Sequence, residues 1–263
     1  MQAKTIGGIT NQLGLALDRA VAQNDRRGYF AAILWRATSL VAQGLKDGLF
    51  QYPDKVEQLH VLSTNRYLSA VRAWDQRRSM SYAWQAAFRC AEGRTATVAT
   101  NLLVSYQAHV GIDCGVAMAT ALGRGELNKF HLDYQRLSNI FDSLYSESYD
   151  DLSKDWPLFQ SILKAMGKDK ATLLGTYGPG LREHSWEFAR HLSLKDPDDR
   201  DELIDSRDAA CANESRSHVT PTFPTNAFNA LLRQVERGTV PGIITSLRQA
   251  NKPLISVPLR GAA

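Results

Sequence analysis

The segment LLVSYQAHVGIDCGVAMATAL, residues 102–122, is the most apolar stretch of the chain and constrains its fold more than any other feature. It is long enough to cross a bilayer as a helix, but it carries Gln107, His109 and Asp113 near its middle. An aspartate alone costs roughly 2.5–3.5 kcal/mol at the centre of a membrane, and no second span exists to cover these groups. The segment therefore predicts a helix buried in a protein core.

Most of the remaining sequence repeats its apolar residues at helical spacing. Behind Pro53, a favourable first helical residue, Val56 and Leu59 share one face. No alternating strand pattern and no repeat of fixed period is found, so the predicted fold is all-α, a multi-helix bundle around a long buried central helix at about residues 95–122. We expect one domain over 1–263, with a surface loop at 214–226 leading to C-terminal helices. Other helices are predicted within 28–47, 53–76, 81–92, 128–148, 156–167, 179–192, 200–213, 227–234 and 241–249.

Composition excludes several classes of protein. The net charge of +4 arises from 31 basic and 27 acidic residues spread along the chain, whereas nucleic-acid binders concentrate basic residues on one stripe. The three cysteines form no C-x-x-C pair, and no G-x-S-x-G, G-x-G-x-x-G or Walker motif occurs. We therefore expect no nucleic-acid partner and no nucleotide cofactor. The opening residues lack the apolar core of a signal peptide, which together with the scattered cysteines predicts a cytoplasmic protein.

A polar stripe follows the predicted central helix. Asn101, Ser105, His109 and Asp113 are four residues apart, so consecutive members lie one turn from each other. A buried aspartate needs a cationic or hydrogen-bonding partner. Gly111 and Gly115, in the same region, predict that another helix crosses closely. Cys114, five residues after His109, is expected to lie off the histidine's face.

Three roles for the His109–Asp113 pair remain open. The imidazole of His109 could act as an acid–base group oriented by the carboxylate, because its pKa lies near neutrality. The two side chains could instead ligate one metal ion, as two residues at i, i+4 do in zinc enzymes. They could also complete a buried hydrogen-bond network that fixes helix register.

Two other predicted helices supply partners for this pair. The segment 57–67, EQLHVLSTNRY, offers Asn65, Arg66 and Tyr67, and its Glu57-x-x-His60 matches half of a di-iron carboxylate pattern whose other half is missing. Arg66 is the residue best able to reach Asp113, since a guanidinium can grip a carboxylate through two parallel hydrogen bonds. The later segment REHSWEFARH, at 182–191, carries His184, Trp186 and Glu187 among its polar and aromatic residues.

These segments together resemble a known family. The order of the N-R-Y helix at 65–67, AWQAAF at 83–88, QAHVGIDC at 107–114 and REHSW at 182–186 resembles the bacterial and fungal family called domain of unknown function 5995, over roughly residues 30–195. Gln107, Cys114 and Ser185 replace the asparagine, leucine and alanine of the family pattern. The resemblance implies an all-α protein that shares this polar cluster, and implies no reaction. A fainter likeness to all-α zinc phospholipase C and its nuclease relatives rests on the H-x-x-x-D spacing alone.

These observations predict a small-molecule enzyme with acid–base chemistry such as cyclisation, isomerisation or elimination. The alternatives are a metal-dependent hydrolase of the zinc phospholipase/nuclease type and a non-catalytic helical binding or scaffold protein. We expect no metal, no cofactor and no membrane span, and a homodimer is left open. The predicted catalytic residues are His109, Asp113, Arg66 and Tyr67, and the predicted substrate-binding residues are Asn65, Ser105, His184, Trp186 and Glu187.

Overall fold

A computed structural model describes residues 2–93, 96–123, 125–155, 170–220, 222, 225–236 and 238–249. Within these ranges the chain is helical and contains no strand, as the apolar spacing predicts. The helices are α1 (Ile6–Gln23), α2 (Gly28–Lys46), α3 (Pro53–Asp75), α4 (Tyr82–Glu92), α5 (Val98–Ala108), α6 (Gly115–Leu122), α7 (Leu127–Asp155), α8 (Lys170–Leu194), α9 (Arg200–Val219), α10 (Thr225–Val235) and α11 (Val240–Gln249).

Carboxylates from neighbouring helices bind the chain at or just before the N-termini of two helices that surround the core. Asp208 of α9 accepts hydrogen bonds from Ser81 Oγ at 2.7 Å and from Tyr82 N at 2.6 Å, at the start of α4. Asp133 of α7 accepts from Gln51 N and Tyr52 N, just before α3 begins. Because the first backbone N–H groups of a helix have no partner inside it, Asp208 stabilises the start of α4 and fixes α9 against it. Asp133 fixes α7 against the residues that lead into α3.

The central helix is not one regular α-helix. Between α5 and α6, His109–Cys114 forms a π-helical segment, in which hydrogen bonds run five residues back instead of four. The side chain of Cys211 donates to the Gln107 carbonyl at 3.2 Å, and Arg207 Nε donates to the Gly111 carbonyl at 3.3 Å. Helix α9 thus donates side-chain hydrogen bonds to two carbonyls at the π-helical segment and just before it.

The π-helical segment lies at the centre of the helical packing. It contacts α3, α5, α6, α8 and α9, and all of its residues except Cys114 are buried. The close approach predicted from the two glycines is confirmed. A Cβ at Gly111 would lie 3.1 Å from Cys211 Sγ on α9, and one at Gly115 would overlap the Phe188 ring on α8.

Several predicted boundaries differ from the structure. Helix α8 starts at Lys170, so Pro179 lies inside it and not at its first turn. Helix α9 continues to Val219, six residues into the segment 214–226 that was expected to be a loop. Helix α1 was not predicted; Thr5 Oγ1 caps it by accepting from Gly8 N. The helix predicted within 156–167 lies outside the described residues.

No helix in the described part of the chain combines the length and the hydropathy that crossing a bilayer requires.

Candidate functional site

Asp113 is the residue that several other polar side chains of the site contact. Its side chain is 1% exposed, and its Oδ1 accepts a hydrogen bond from Arg66 Nε at 2.9 Å. Its Oδ2 accepts from the indole Nε1 of Trp84 at 2.8 Å. The predicted Arg66–Asp113 contact is therefore formed, but through one hydrogen bond, and Trp84 binds the other carboxylate oxygen. The ion pair and the indole together hold the carboxylate in a fixed orientation.

His109 lies beside this carboxylate and is fully buried. Its Nδ1 is 3.5 Å from Asp113 Oδ2, which is too long for a well-formed hydrogen bond. The imidazole packs between the rings of Phe30 and Phe141, at centroid distances of 5.6 and 5.9 Å. Neither ring nitrogen makes a well-formed hydrogen bond to the residues that the structure describes, and Asp113 and Cys114 are the neighbouring polar side chains. A buried imidazole is rarely left in this state, since unsatisfied polar atoms in a core are costly.

A small cavity opens next to His109. Its volume is about 30 Å³, room for about one or two water molecules. Five elements contribute to its lining, which is mainly apolar with a few polar groups. The polar groups that matter here are His60 of α3, Tyr106 of α5, His109 and Cys114 of the π-helical segment, Tyr134 of α7 and Arg182 of α8.

Cys114 lies on the same side of the helix as His109, and the expectation that it lies off that face was wrong. Residues five apart point about 140° apart on an α-helix. The wider turn of a π-helix, with hydrogen bonds five residues back, brings them nearer to the same face. Both side chains line the cavity. Cys114 is also partly exposed, whereas Cys90 and Cys211 are buried.

The two buried histidines at the cavity carry different charges at neutral pH. Burial lowers the pKa of His60 to about 3, and the nearby His109 acts in the same direction. Burial alone would also lower the pKa of His109, but Cys114 and Asp113 outweigh it and raise that pKa to about 10. His60 is thus neutral, and its Nε2 is hydrogen-bonded to Thr38 Oγ1 at 2.9 Å. His109 is protonated at neutral pH and available as a proton donor.

This charge state predicts how stability depends on pH. The folded-state pKa of His109 lies above the unfolded value near 6.5, so its stabilising contribution is complete below about pH 6.5 and is lost as the pH rises through about 10. In urea unfolding, the difference in free energy between wild type and His109→Gln should therefore shrink steadily from pH 6.5 to 10. The exposed His184 offers a matched control, because His184→Gln should show no such trend. A difference that stays constant over this range would contradict the prediction.

Asn65 and Tyr67 flank Arg66 but do not reach His109 or Asp113. Asn65 lies on another face of α3, where Nδ2 donates to the Ala3 carbonyl at 2.8 Å and Oδ1 accepts from Ala3 N at 3.1 Å. It fixes the segment before α1, so the structure gives no support to its predicted substrate contact. Tyr67 packs its ring on Trp84 at 5.0 Å. Burial raises the pKa of its phenol, so this group is neutral and acts as part of the core.

The residues predicted on the late helix are only partly brought to the site. His184 is exposed, and Glu187 pairs with Arg190 at the surface. Trp186 is buried against Tyr134, at a centroid distance of 5.2 Å, and so supports the cavity wall from behind. Arg182 is the residue of this helix that lines the cavity. The reason is the helical phase of α8, which turns 182 inward and 184 outward.

Ser105 is buried one turn before His109 but is not among the residues that line the cavity. Trp84 and Cys114 belong to the site and were missed by the sequence analysis. The signal for Trp84 was present, since a buried indole N–H needs an acceptor and the motif AWQAAF lies on an apolar helix face. Among the described residues, no three His, Cys, Asp or Glu side chains converge as they would at a metal site.

Comparison with known sequences places the chain in a family. The model of the family of unknown function DUF5995 matches residues 6–221, well over half of the chain. The chain therefore belongs to this family, which confirms the family resemblance inferred from its sequence. No curated protein and no solved structure matches it significantly.

Proposed function

We propose that this member of the DUF5995 family is a small-molecule enzyme in which His109 acts as a general acid and base. The observation that carries this proposal is the state of His109: a fully buried imidazole that makes no well-formed hydrogen bond to the described residues, beside a cavity. An imidazole whose role is to fix helix register would be expected to have its hydrogen bonds satisfied.

The groups around His109 fit a catalytic role. Asp113 lies 3.5 Å from Nδ1 and is itself held by Arg66 and Trp84. A carboxylate so placed can orient the ring and stabilise its protonated form. Long hydrogen bonds at such pairs are common before substrate binds, and they shorten in the reacting complex. His109 would donate a proton at neutral pH and accept it back in a later step.

The cavity restricts the size of the group that can react beside His109. A volume of about 30 Å³ accommodates only a small reacting group, so the remainder of the substrate would extend toward the partly exposed Cys114 and Arg182. Arg182 is oriented by its ion pair with Asp142. Its cationic guanidinium would favour a substrate with a carbonyl or anionic oxygen near the mouth of the cavity.

A ligand screen followed by a turnover assay tests the proposal. Small carbonyl compounds and carboxylic acids are screened by thermal shift against wild type, and the compounds that bind are then incubated with the protein and analysed by mass spectrometry. We expect at least one compound to be converted, with turnover reduced about 100-fold or more in His109→Gln while binding persists. His184→Gln, which changes an exposed histidine of α8, should leave turnover unchanged. Binding without any conversion would instead indicate a binding protein, and conversion that survives in His109→Gln would remove His109 from the mechanism.

A further inference from the structure

Cys114 differs from the other two cysteines of the chain. Burial raises the pKa of Cys90 and of Cys211 to about 12, so both thiols are inert at neutral pH. Cys114 is partly exposed and lines the cavity beside His109. Reactive cysteines typically have partial exposure and a cationic neighbour.

The π-helical segment is the structural cause of this arrangement. It brings side chains at positions i and i+5 together, so that a protonated His109 lies beside the Cys114 thiol. The other titratable groups that face the cavity come from four helices. They are His60 of α3, Tyr134 of α7 and Arg182 of α8, and Tyr106 of α5 completes the ring. His60 is neutral and burial keeps both phenols protonated, so His109 and Arg182 are the cationic groups that share the described lining with Cys114.

We propose that Cys114 is a catalytic nucleophile that forms a covalent acyl intermediate, with His109 as its proton donor and acceptor. This inference rests on the proposed function of His109 and adds to it a substrate class, small activated carbonyl compounds such as esters and thioesters. The unpartnered imidazole in the cavity is the second observation that distinguishes Cys114 from a lone cysteine.

The reaction balances without any further reagent. The Cys114 thiolate adds to the carbonyl carbon and forms a carbon–sulfur bond, and the oxygen takes the electron pair of the carbon–oxygen π bond. When the carbonyl re-forms, the bond to the leaving group breaks, and that group takes the proton of His109. Water then adds to the thioester and gives its proton to His109, and the carbon–sulfur bond breaks to regenerate the thiolate. The net reaction is hydrolysis of the acyl compound to a carboxylic acid and the protonated leaving group.

The geometry also limits the acyl group. The cavity volume of about 30 Å³ and its largely apolar lining, which includes Leu59 and Phe141, fit a short aliphatic acyl chain. Arg182 lies at the partly exposed side, where it can contact the carbonyl oxygen or a carboxylate on the leaving group.

Alkylation of the three cysteines tests the nucleophile within one molecule. Native protein is treated with iodoacetamide at pH 6.5 and at pH 9.5, and the modification rate of each cysteine is followed by peptide mass spectrometry. At pH 6.5 we expect Cys114 to react about tenfold or more faster than Cys90 and Cys211. His109→Gln should slow the alkylation of Cys114 about tenfold, since the thiolate fraction of an ordinary thiol falls about tenfold for each pH unit below its pKa. At pH 9.5 the effect of His109→Gln should vanish, because free cysteine thiols, with pKa values of about 8.5, are ionised at this pH without a cationic neighbour. An effect of equal size at both pH values would reflect accessibility alone and would overturn the proposal.

A second measurement separates this inference from the proposed function. With p-nitrophenyl acetate, wild type should release a rapid burst of nitrophenol close to one equivalent and gain one acetyl group on Cys114, whereas Cys114→Ser should show neither. If another substrate is converted in a His109-dependent manner and Cys114→Ser retains that turnover, the nucleophile is wrong and the acid–base proposal stands. If p-nitrophenyl acetate acetylates Cys114 but no substrate shows His109-dependent turnover, the acid–base proposal fails, and the catalytic part of this inference fails with it.

Discussion

Asp113→Ala is expected to lower the free energy of unfolding by about 3 kcal/mol or more. The substitution removes the acceptor of the buried Trp84 indole and the anion beside the protonated His109. Arg66 contributes less to the loss, because its side chain is 35% exposed and can be hydrated when the pair is broken. Urea unfolding monitored by circular dichroism at pH 7 measures the effect.

Two further variants make the Asp113 experiment specific. Asp113→Asn keeps an acceptor for Trp84 but removes the charge, so it should cost less than alanine. Asp18→Ala removes an aspartate that is 73% exposed and 3.8 Å from Arg248, and should change stability by less than about 1 kcal/mol. If the Asp113 and Asp18 variants lost similar amounts, the carboxylate would not be the anchor of the buried cluster.

Gly115→Ala is expected to destabilise the protein by about 1–3 kcal/mol, even though alanine is the better helix former. An added Cβ would overlap the ring of Phe188 and lie 3.3 Å from the Ser185 carbonyl, where α6 crosses α8. The backbone cannot separate here without disturbing the π-helical segment that precedes it.

The same substitution at Gly14 provides the control. Gly14 lies on α1 with no atom within 4 Å of its added Cβ, so Gly14→Ala should stabilise by about 0.5–1 kcal/mol. Phe188→Leu should recover part of the loss in the Gly115→Ala background, which a double-mutant cycle measures. Equal effects of alanine at the two glycines would show that helix crossing at Gly115 is not tight.

The sequence was sufficient for the fold class and for the centre of the site. Apolar residues at helical spacing predict an all-α bundle, since that pattern buries one face of each helix. The alternation of apolar and polar residues that is typical of a strand is not found. His109 and Asp113 are conspicuous because they lie in a largely apolar segment. Their polarity excludes a membrane span, so the segment must bury them in the protein core. The contact between Arg66 and Asp113 also followed from sequence, because a buried carboxylate needs a cation.

Helix boundaries, and which side chains lie at the surface, were harder to predict from the sequence. His184 and Glu187 were predicted at the site but lie at the surface, since a one-residue change in helix phase rotates a side chain by about 100°. Asn65 was predicted to contact substrate, yet it hydrogen-bonds the main chain of Ala3, a partner 62 residues away that local sequence cannot identify.

Tertiary structure alone decided that Cys114 joins the site. An α-helix directs residues 109 and 114 to different faces, and the sequence contains no signal that His109–Cys114 departs from α-helical geometry. That departure is accompanied by donors from α9, where Cys211 and Arg207 bond the Gln107 and Gly111 carbonyls from about 100 residues further along the chain. The sequence therefore determined that a histidine and an aspartate are buried together, because local spacing and polarity suffice for that. Which third side chain joins them depends on hydrogen bonds between distant helices, which form only when the chain is folded.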